Sequence, residues 1–298
     1  MKKVLVLLST YNGSKYLKYQ LDSLLAQNGV DVDILVRDDH STDATIEILH
    51  RYNINYYTGP NLGAAKSFLD LIKKANAEYR AYDYYAFSDQ DDQWKENKLY
   101  SAVKALAKFN ANLYCGSTNA YDEQKHISHI IPATEYSPIE TLFRNSVAGC
   151  TMVFDYKVVE RVSEYQPKWL EMHDSWILRV CSYCNDLKVI YDKNPYMTYR
   201  LHGDNTLGTS VGQLNRITAH LKNLFYTDKS FISKTAHELL IGYQRYFDNE
   251  TKNMLLLFDK TSNVAGRRKK ILSLLMKNKF STSKRKFDYV FYFLFRKA

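Results

Sequence analysis

No stretch of this 298-residue chain approaches the roughly 20 consecutive apolar residues that a bilayer-spanning helix needs. The first apolar run, Val4 to Leu8, is also shorter than the roughly 7–15 residues of a secretory signal core, and no small-residue cleavage site follows it. A buried first strand is therefore expected, in a protein that stays in the cytoplasm. Cysteine is scarce: Cys115, Cys150, Cys181 and Cys184 are the whole complement. The last two form a C-x-x-C pair, but a zinc site of that kind needs two more ligands at close spacing, and none lies nearby. The pair adjoins a helical run, Ser175 to Tyr183, so packed and reduced thiols are expected. The glycine fingerprint of a dinucleotide-binding oxidoreductase is absent after the first strand, where the turn reads Ser9-Thr10-Tyr11-Asn12-Gly13. A glycine-rich basic loop, which a sugar nucleotidyltransferase would carry at that place, is absent too. No internal repeat or low-complexity linker interrupts the chain.

Acid is nearly missing from the end of the sequence. From Arg267 onward there are eleven Lys/Arg and a single acid, Asp288, whereas the preceding 266 residues hold 30 basic and 31 acidic side chains. The net charge of +9 is thus a property of the tail.

What is present is an alternation of strand and helix. Val4–Leu8 is followed by a helical stripe of Leu17, Leu21, Leu24 and Leu25 that Asn28-Gly29 stops. Val32–Val36 leads to a helix carrying Ile46 and Leu49. Ile54–Tyr57, a helix over Ala64–Ala75 and the strand Tyr84–Phe87 come next. The second half is less regular, with a helix over Leu99–Phe109, strands over Asn112–Tyr121 and Val147–Phe154, and a helix over Asp174–Tyr183. Short strands over Lys188–Tyr191 and Met197–Tyr199 follow. From about Val211 the pattern is helical and amphipathic. This predicts an α/β fold with a mostly parallel sheet over 1–210, and a basic helical region over 211–298.

Each early strand ends in a polar cluster, and ligands of such sheets sit at the carboxyl ends of strands. The Ser9, Asp39 and Asp91 clusters should therefore converge on one crevice. Asp89-Gln90-Asp91-Asp92 puts three carboxylates within four residues. They repel one another unless a cation or many donors satisfy them. Either a solvated turn or a site for Mg²⁺ or Mn²⁺ with a nucleotide diphosphate meets that demand. In Asp38-Asp39-His40-Ser41, the Ser41-Thr42-Asp43 stretch suits a helix start. Asp39 can face the crevice and accept from the imide N–H of a pyrimidine.

These segments, with Asn61-Leu62-Gly63, Gln93-Trp94, Gly149-Cys150-Thr151, His173-Asp174-Ser175-Trp176 and Tyr199-Arg200-Leu201-His202-Gly203-Asp204-Asn205, occur in the order seen in family 2 glycosyltransferases. The set covers roughly residues 1–210 and most resembles the bacterial rhamnosyltransferase-like branch that builds cell-wall, capsular or O-antigen polysaccharide. The resemblance implies a GT-A-type, Rossmann-like nucleotide-binding domain. It implies that Ser9, Tyr11, Asp39, Lys66 and Asp89 meet the donor nucleotide, that Asp91 and His202 hold the metal, and that Asp174 is the catalytic base. Gly149, His173 and Trp176 would line an acceptor or sugar pocket. Two departures stand out: His40 replaces a common glycine, and His173 stands where an acid often precedes the catalytic aspartate.

The reaction so implied is an inverting transfer from a dTDP- or UDP-sugar to a polysaccharide or lipid-linked oligosaccharide acceptor. A sugar nucleotidyltransferase is the closest enzymatic alternative, since it too uses paired aspartates and a nucleotide; a non-catalytic nucleotide-sugar-binding subunit is the reading from another class, which a turnover assay separates. In the tail, Ile271, Leu272, Leu274, Leu275 and Met276 adjoin Arg267–Lys270, a pairing that suits anionic lipid headgroups better than nucleic acid. Peripheral contact with the inner face of the cell membrane is expected, with packing on the catalytic domain as the alternative.

Overall fold

The computed structural model describes residues 1–201, 230–282 and 286–290. Its first half is a run of β1 (Lys3–Thr10), α1 (Leu17–Leu25), β2 (Asp31–Asp38), α2 (Thr45–Arg51), β3 (Asn55–Thr58), α3 (Ala64–Glu78) and β4 (Tyr84–Ser88). There follow β5 (Gln93–Trp94), α4 (Lys98–Phe109), β6 (Leu113–Asp122), β7 (Ile127–Ile131), α5 (Pro138–Phe143), β8 (Val153–Asp155), α6 (Tyr156–Ser163), α7 (His173–Tyr183) and β9 (Val189–Leu201). The strands form one sheet in the order β3-β2-β1-β4-β8-β6-β9-β5, with β7 paired to β6. β1, β2, β3 and β4 are mutually parallel. β8 runs against both β4 and β6, so β6, and β9 parallel to it, point the same way as the first four. Only the short β5, β7 and β8 run in the other direction, so the long strands all deliver their carboxyl ends to one rim.

The sheet separates two cores. Along β1 the side chains alternate, as a strand requires: Val4, Val6 and Leu8 pack with α1 and α4, while Leu5 and Leu7 pack with α3, α6 and α7. Burial on both faces explains the unbroken apolar run of that strand. Helix stripes account for the outer layers. Leu17, Leu21 and Leu24 of α1 are buried, whereas Leu25 lies off the stripe and is 56% exposed.

Three elements differ from expectation. The stretch Val147–Phe154 is not one strand: a tight 3₁₀ turn occupies Gly149–Thr151, and β8 is only three residues long. β9 is one 13-residue strand rather than two short ones; a register shift against β6 between Gly116 and Asn119 gives the appearance of two pieces. α5 and α6 went unread because each is too short to show periodicity. A Ser137–Glu140 capping box with Pro138 starts α5.

The C-terminal helices are α8 (Phe231–Tyr243), α9 (Asn249–Phe258) and α10 (Arg267–Lys277). Ala236, Leu239, Tyr243, Leu255, Ile271 and Leu275 belong to the same core as Trp176 and Phe154. Glu238 accepts hydrogen bonds from the backbone N–H groups of Lys168 and Trp169 and from the Tyr165 hydroxyl. Ile271 and Leu275, two of the apolar residues expected to face lipid, are thus occupied in packing; Leu272 and Leu274 are half-buried and Met276 is exposed. Tyr289 stacks on Phe143 with ring centroids 4.4 Å apart. The basic side chains Arg268, Lys269 and Lys270 remain on the outer surface.

Candidate active site

The carboxyl ends of β1, β2 and β4 open on a crevice of about 1120 Å³. Ser9, Tyr11, Asp39, Asp89, Asp91, Gly149, His173 and Asp174 all line it, so the structure gathers eight of the residues singled out in the sequence. Lys66 and Trp176 are not among its lining residues. Lys66 is exposed on the first turn of α3, on the far side from the buried stripe of Phe68 and Leu71. Trp176 is 2% exposed and packs near Tyr243, because α7 turns that face into the core. His202 lies outside the described residues.

Backbone and side-chain bonds fix the β1 and β2 ends. The Asp39 N–H donates to the Thr10 carbonyl (2.8 Å), and the Thr10 hydroxyl donates to Asp38 (2.9 Å). One Asp39 oxygen accepts from Arg37 and from the Leu62 N–H, the other from the Gly63 N–H at 2.8 Å. Arg37 itself is 1% exposed and also reaches Asp70, Ser67 and the Pro60 carbonyl. Asp39 is therefore an oriented acceptor with little spare capacity. His40 has φ +71°, in the left-handed region that costs most side chains about 1–2 kcal/mol and that a glycine would enter freely.

Gln90 ties β4 to β1. Its amide oxygen accepts from the Tyr11 N–H (2.9 Å) and its amide nitrogen donates to the Tyr11 carbonyl (3.1 Å). Gly13 leaves room for this clamp, since a Cβ there would stand 2.2 Å from the Gln90 oxygen and push the side chain off the Tyr11 backbone. Asp89 is pushed up to about 7 by burial, then by Asp91 and Asp174. Crowded carboxylates of that kind, open to a crevice, fit an oxygen-seeking divalent cation. From the other edge, Arg200 of β9 donates to the Asp91 carbonyl (3.1 Å) and to Glu123 (2.6 Å), pinning the acidic loop.

Asp174 stands in the first turn of α7, 5% exposed. Burial pushes it up to about 6, against the pull of the Ser175 N–H, Arg179 and Asn145. His173 is held low, to about 3, by burial alone and is therefore neutral. Its ring stacks on Phe68 (4.0 Å) and meets Phe87 edge-on (5.2 Å). Gly149 sits against it: a Cβ at that position would be 2.4 Å from Nε2. The sequence reading missed Gln90 as a clamp, and Lys15, Arg144 and Asn145 as lining residues. Arg144-Asn145 sits just upstream of the Gly149 segment, and that polar pair beside an apolar run was the available signal.

A mixed α/β sheet with an acid-lined crevice at its carboxyl rim, and a near-buried aspartate beside it, is the arrangement expected of a glycosyltransferase of the GT-A type. The chain belongs to glycosyl transferase family 2, whose sequence profile matches residues 5–157. A dTDP-rhamnosyl transferase, RfbG of Shigella flexneri, is 30% identical over 218 residues, covering 68% of this chain and 74% of that protein. A putative teichuronic acid biosynthesis glycosyltransferase, TuaG of Bacillus subtilis, is 27% identical over half of this chain and 60% of its own length. Among solved structures, residues 1–349 of Staphylococcus aureus TarS in complex with UDP-GlcNAc superpose with a TM-score of 0.59 at 15% identity, covering 98% of this chain and 79% of that one. Among the described residues, no helix is long and apolar enough to cross a membrane.

Proposed function

We propose that the protein is an inverting transferase that moves a sugar from a pyrimidine nucleotide donor to a hydroxyl of a cell-surface polysaccharide or lipid-linked acceptor. dTDP-rhamnose is the preferred donor and a UDP-hexose the second. The observation that carries the reading is Asp174, near-buried and ionisable close to neutral pH, lining the same crevice as Asp89 and Asp91.

Asp174 takes the proton of the acceptor hydroxyl as that oxygen attacks the anomeric carbon. The new C–O bond forms on one face while the bond to the diphosphate breaks on the other, and the diphosphate leaves with the electron pair. A positioned base contributes about 10²–10⁴ in rate. Mg²⁺ or Mn²⁺, held by Asp91 with Asp89 beside it, would neutralise charge on the leaving diphosphate. Asp39 offers its remaining acceptor capacity to the imide N–H that uracil and thymine share. Ser9 and Tyr11 flank the nucleoside, and Gly149 with His173 shapes the sugar or acceptor end. The similarity to a dTDP-rhamnosyl transferase supports the rhamnosyl donor. The exposed Arg268, Lys269 and Lys270 support contact with an anionic membrane, where a lipid-linked acceptor resides.

The test is a donor screen by diphosphate release with UDP-, dTDP- and GDP-sugars and Mg²⁺ or Mn²⁺. Turnover with dTDP-rhamnose that EDTA abolishes reversibly is expected. Stabilisation by GDP alone in a thermal-shift titration, with none by UDP or dTDP, would remove the pyrimidine assignment.

A further inference from the structure

Among the described residues, the arginines that are drawn out of solvent have their charge met, with one exception. Arg37 pairs with Asp39 and Asp70, Arg161 with Asp186, Arg179 with Glu171 and Arg200 with Glu123. Arg267 donates to the carbonyls of Leu257, Asp259 and Ser262. Arg144 is half-buried too, yet its Nε is shut off from solvent without a hydrogen-bond partner, and no carboxylate pairs with it among the described residues. Its guanidinium lies over the Tyr136 ring, 4.9 Å from the centroid. Stacking occupies the face of the group and leaves its in-plane N–H donors unspent. Arg144 and Tyr136 both line the crevice.

The sheet places this pair away from the nucleotide end. β1 and β2 lie on one side of β4, and β6 and β7 on the other. The segment leaving β7 turns back to β6, where the Ala133 N–H donates to the Ser117 hydroxyl (2.9 Å), and Tyr136 follows. Beside Arg144, the Asn145 amide donates to the Val147 carbonyl (2.7 Å) and also hydrogen-bonds Asp174. Arg144 is thus next in sequence to a residue that touches the proposed base. On the same wall, the Ser146 hydroxyl and both His173 ring nitrogens are buried without partners among the described residues. His173 is 3% exposed. Unmet buried polar groups are destabilising, and several along one wall suit a polar ligand.

We propose that the acceptor carries an oxyanion, a carboxylate or a phosphate, close to the hydroxyl that reacts, and that Arg144 binds it. The inference rests on the transfer proposed above and names the class of its acceptor: an acidic saccharide bearing uronate or phosphate groups, in preference to a neutral one. A planar guanidinium offers an oxyanion parallel N–H bonds, stronger than those between neutral partners. Arg144 is already held on the Tyr136 ring, so little side-chain freedom is lost when the ligand arrives. The neutral Ser146 and His173 suit sugar hydroxyls, which leaves Arg144 to choose by charge. The donor diphosphate is the other oxyanion at hand, and the experiment fills its site first.

The full chain, saturated with dTDP and Mg²⁺, is titrated with three matched probes: methyl glucoside, methyl glucuronide, and methyl glucoside phosphorylated on its primary hydroxyl. Affinity and the nitrogen NMR signal of the Arg144 Nε–H, identified by its loss in Arg144→Lys, are read together. At least one charged probe should bind about tenfold or more tighter than the glucoside and shift that signal. Whether the carboxylate or the phosphate binds tighter names the acceptor's acidic group. Arg144→Gln should bind all three probes alike while its dTDP affinity is unchanged, and Arg144→Lys should recover part of the charge preference. Equal affinities in the wild type, no binding of any probe, an unmoved Arg144 signal, or a charge preference that survives in Arg144→Gln would each overturn the proposal. Loss of dTDP affinity in Arg144→Gln would overturn it too, by giving Arg144 to the donor diphosphate. If Arg144→Gln does not fold, the wild-type signal and Arg144→Lys decide. Nucleotide binding without a charge preference sinks this inference alone. Failure of both dTDP and UDP to bind the wild type removes the donor reading and this inference with it.

Discussion

Asp174, if it is the base proposed above, ties rate and stability to one side chain. Its carboxylate form is disfavoured by burial, so its folded-state value of about 6 lies above the roughly 3.9 of an unfolded aspartate. The native state therefore binds more protons than the unfolded state between those values, and stability falls as pH rises through that window. The full effect is at most about 3 kcal/mol. Asp174→Asn removes both basicity and that cost. We expect the variant to lose about 10² or more in kcat while donor binding is near normal, and to melt higher than wild type at pH 7.5. A variant that turns over at the wild-type rate would assign the base elsewhere. In the wild type, kcat should fall as pH drops through about 6. Gly149 carries a second residue-scale prediction. Its missing Cβ makes room for His173, whose ring is locked between Phe68 and Phe87. Gly149→Ala should cost about 1–3 kcal/mol by overpacking. Combining it with His173→Ala should cost less than the two separate losses added together, as denaturant melts of all three variants would show.

At the scale of elements, the rim depends on groups buried between strands. Arg37 on β2 is enclosed by Asp39, Asp70, Ser67 and the Pro60 carbonyl. Arg37→Met leaves Asp39 buried and short of a partner, so a loss of about 3–5 kcal/mol in urea melts is expected. Pyrimidine nucleotide affinity should weaken with it. A variant as stable as wild type would mean that Asp39 is held by the Leu62 and Gly63 N–H groups alone. Much of this half was legible in advance. Alternating runs with polar ends marked β1, β2 and β4, and the paired clusters at their ends did meet in one crevice. The second half was less so, for physical reasons. α5 and α6 are too short to carry a period. The turn at Gly149–Thr151 is buried, so apolar side chains gave it the look of a strand. Trp176 belonged to a quoted segment, but the direction of a side chain on a helix buried nearly all round cannot be read from neighbours in sequence.

For the whole molecule, charge and packing divide the C-terminal region differently from the sequence reading. The tail is basic, yet its apolar residues Ile271, Leu275 and Tyr289 pack into the catalytic core. Deleting it would therefore confuse binding with folding. Replacing Arg268, Lys269 and Lys270 together by Gln leaves those contacts in place. We expect the fold and donor hydrolysis to persist, while binding to anionic vesicles and its salt sensitivity both drop. Equal vesicle binding by the variant and wild type would leave packing as the tail's whole role. Glu238 gives the C-terminal region a further consequence. It holds the Lys168 and Trp169 backbone just ahead of α7, and α7 carries Asp174. A chain cut short before Glu238 keeps all of β1 to β4 but loses this hold on the approach to the base. Such a fragment also lacks Leu239, Tyr243, Leu255, Ile271 and Leu275 from the main core, so the segment leading to Asp174 is set in place only after the far end of the chain has been made and packed.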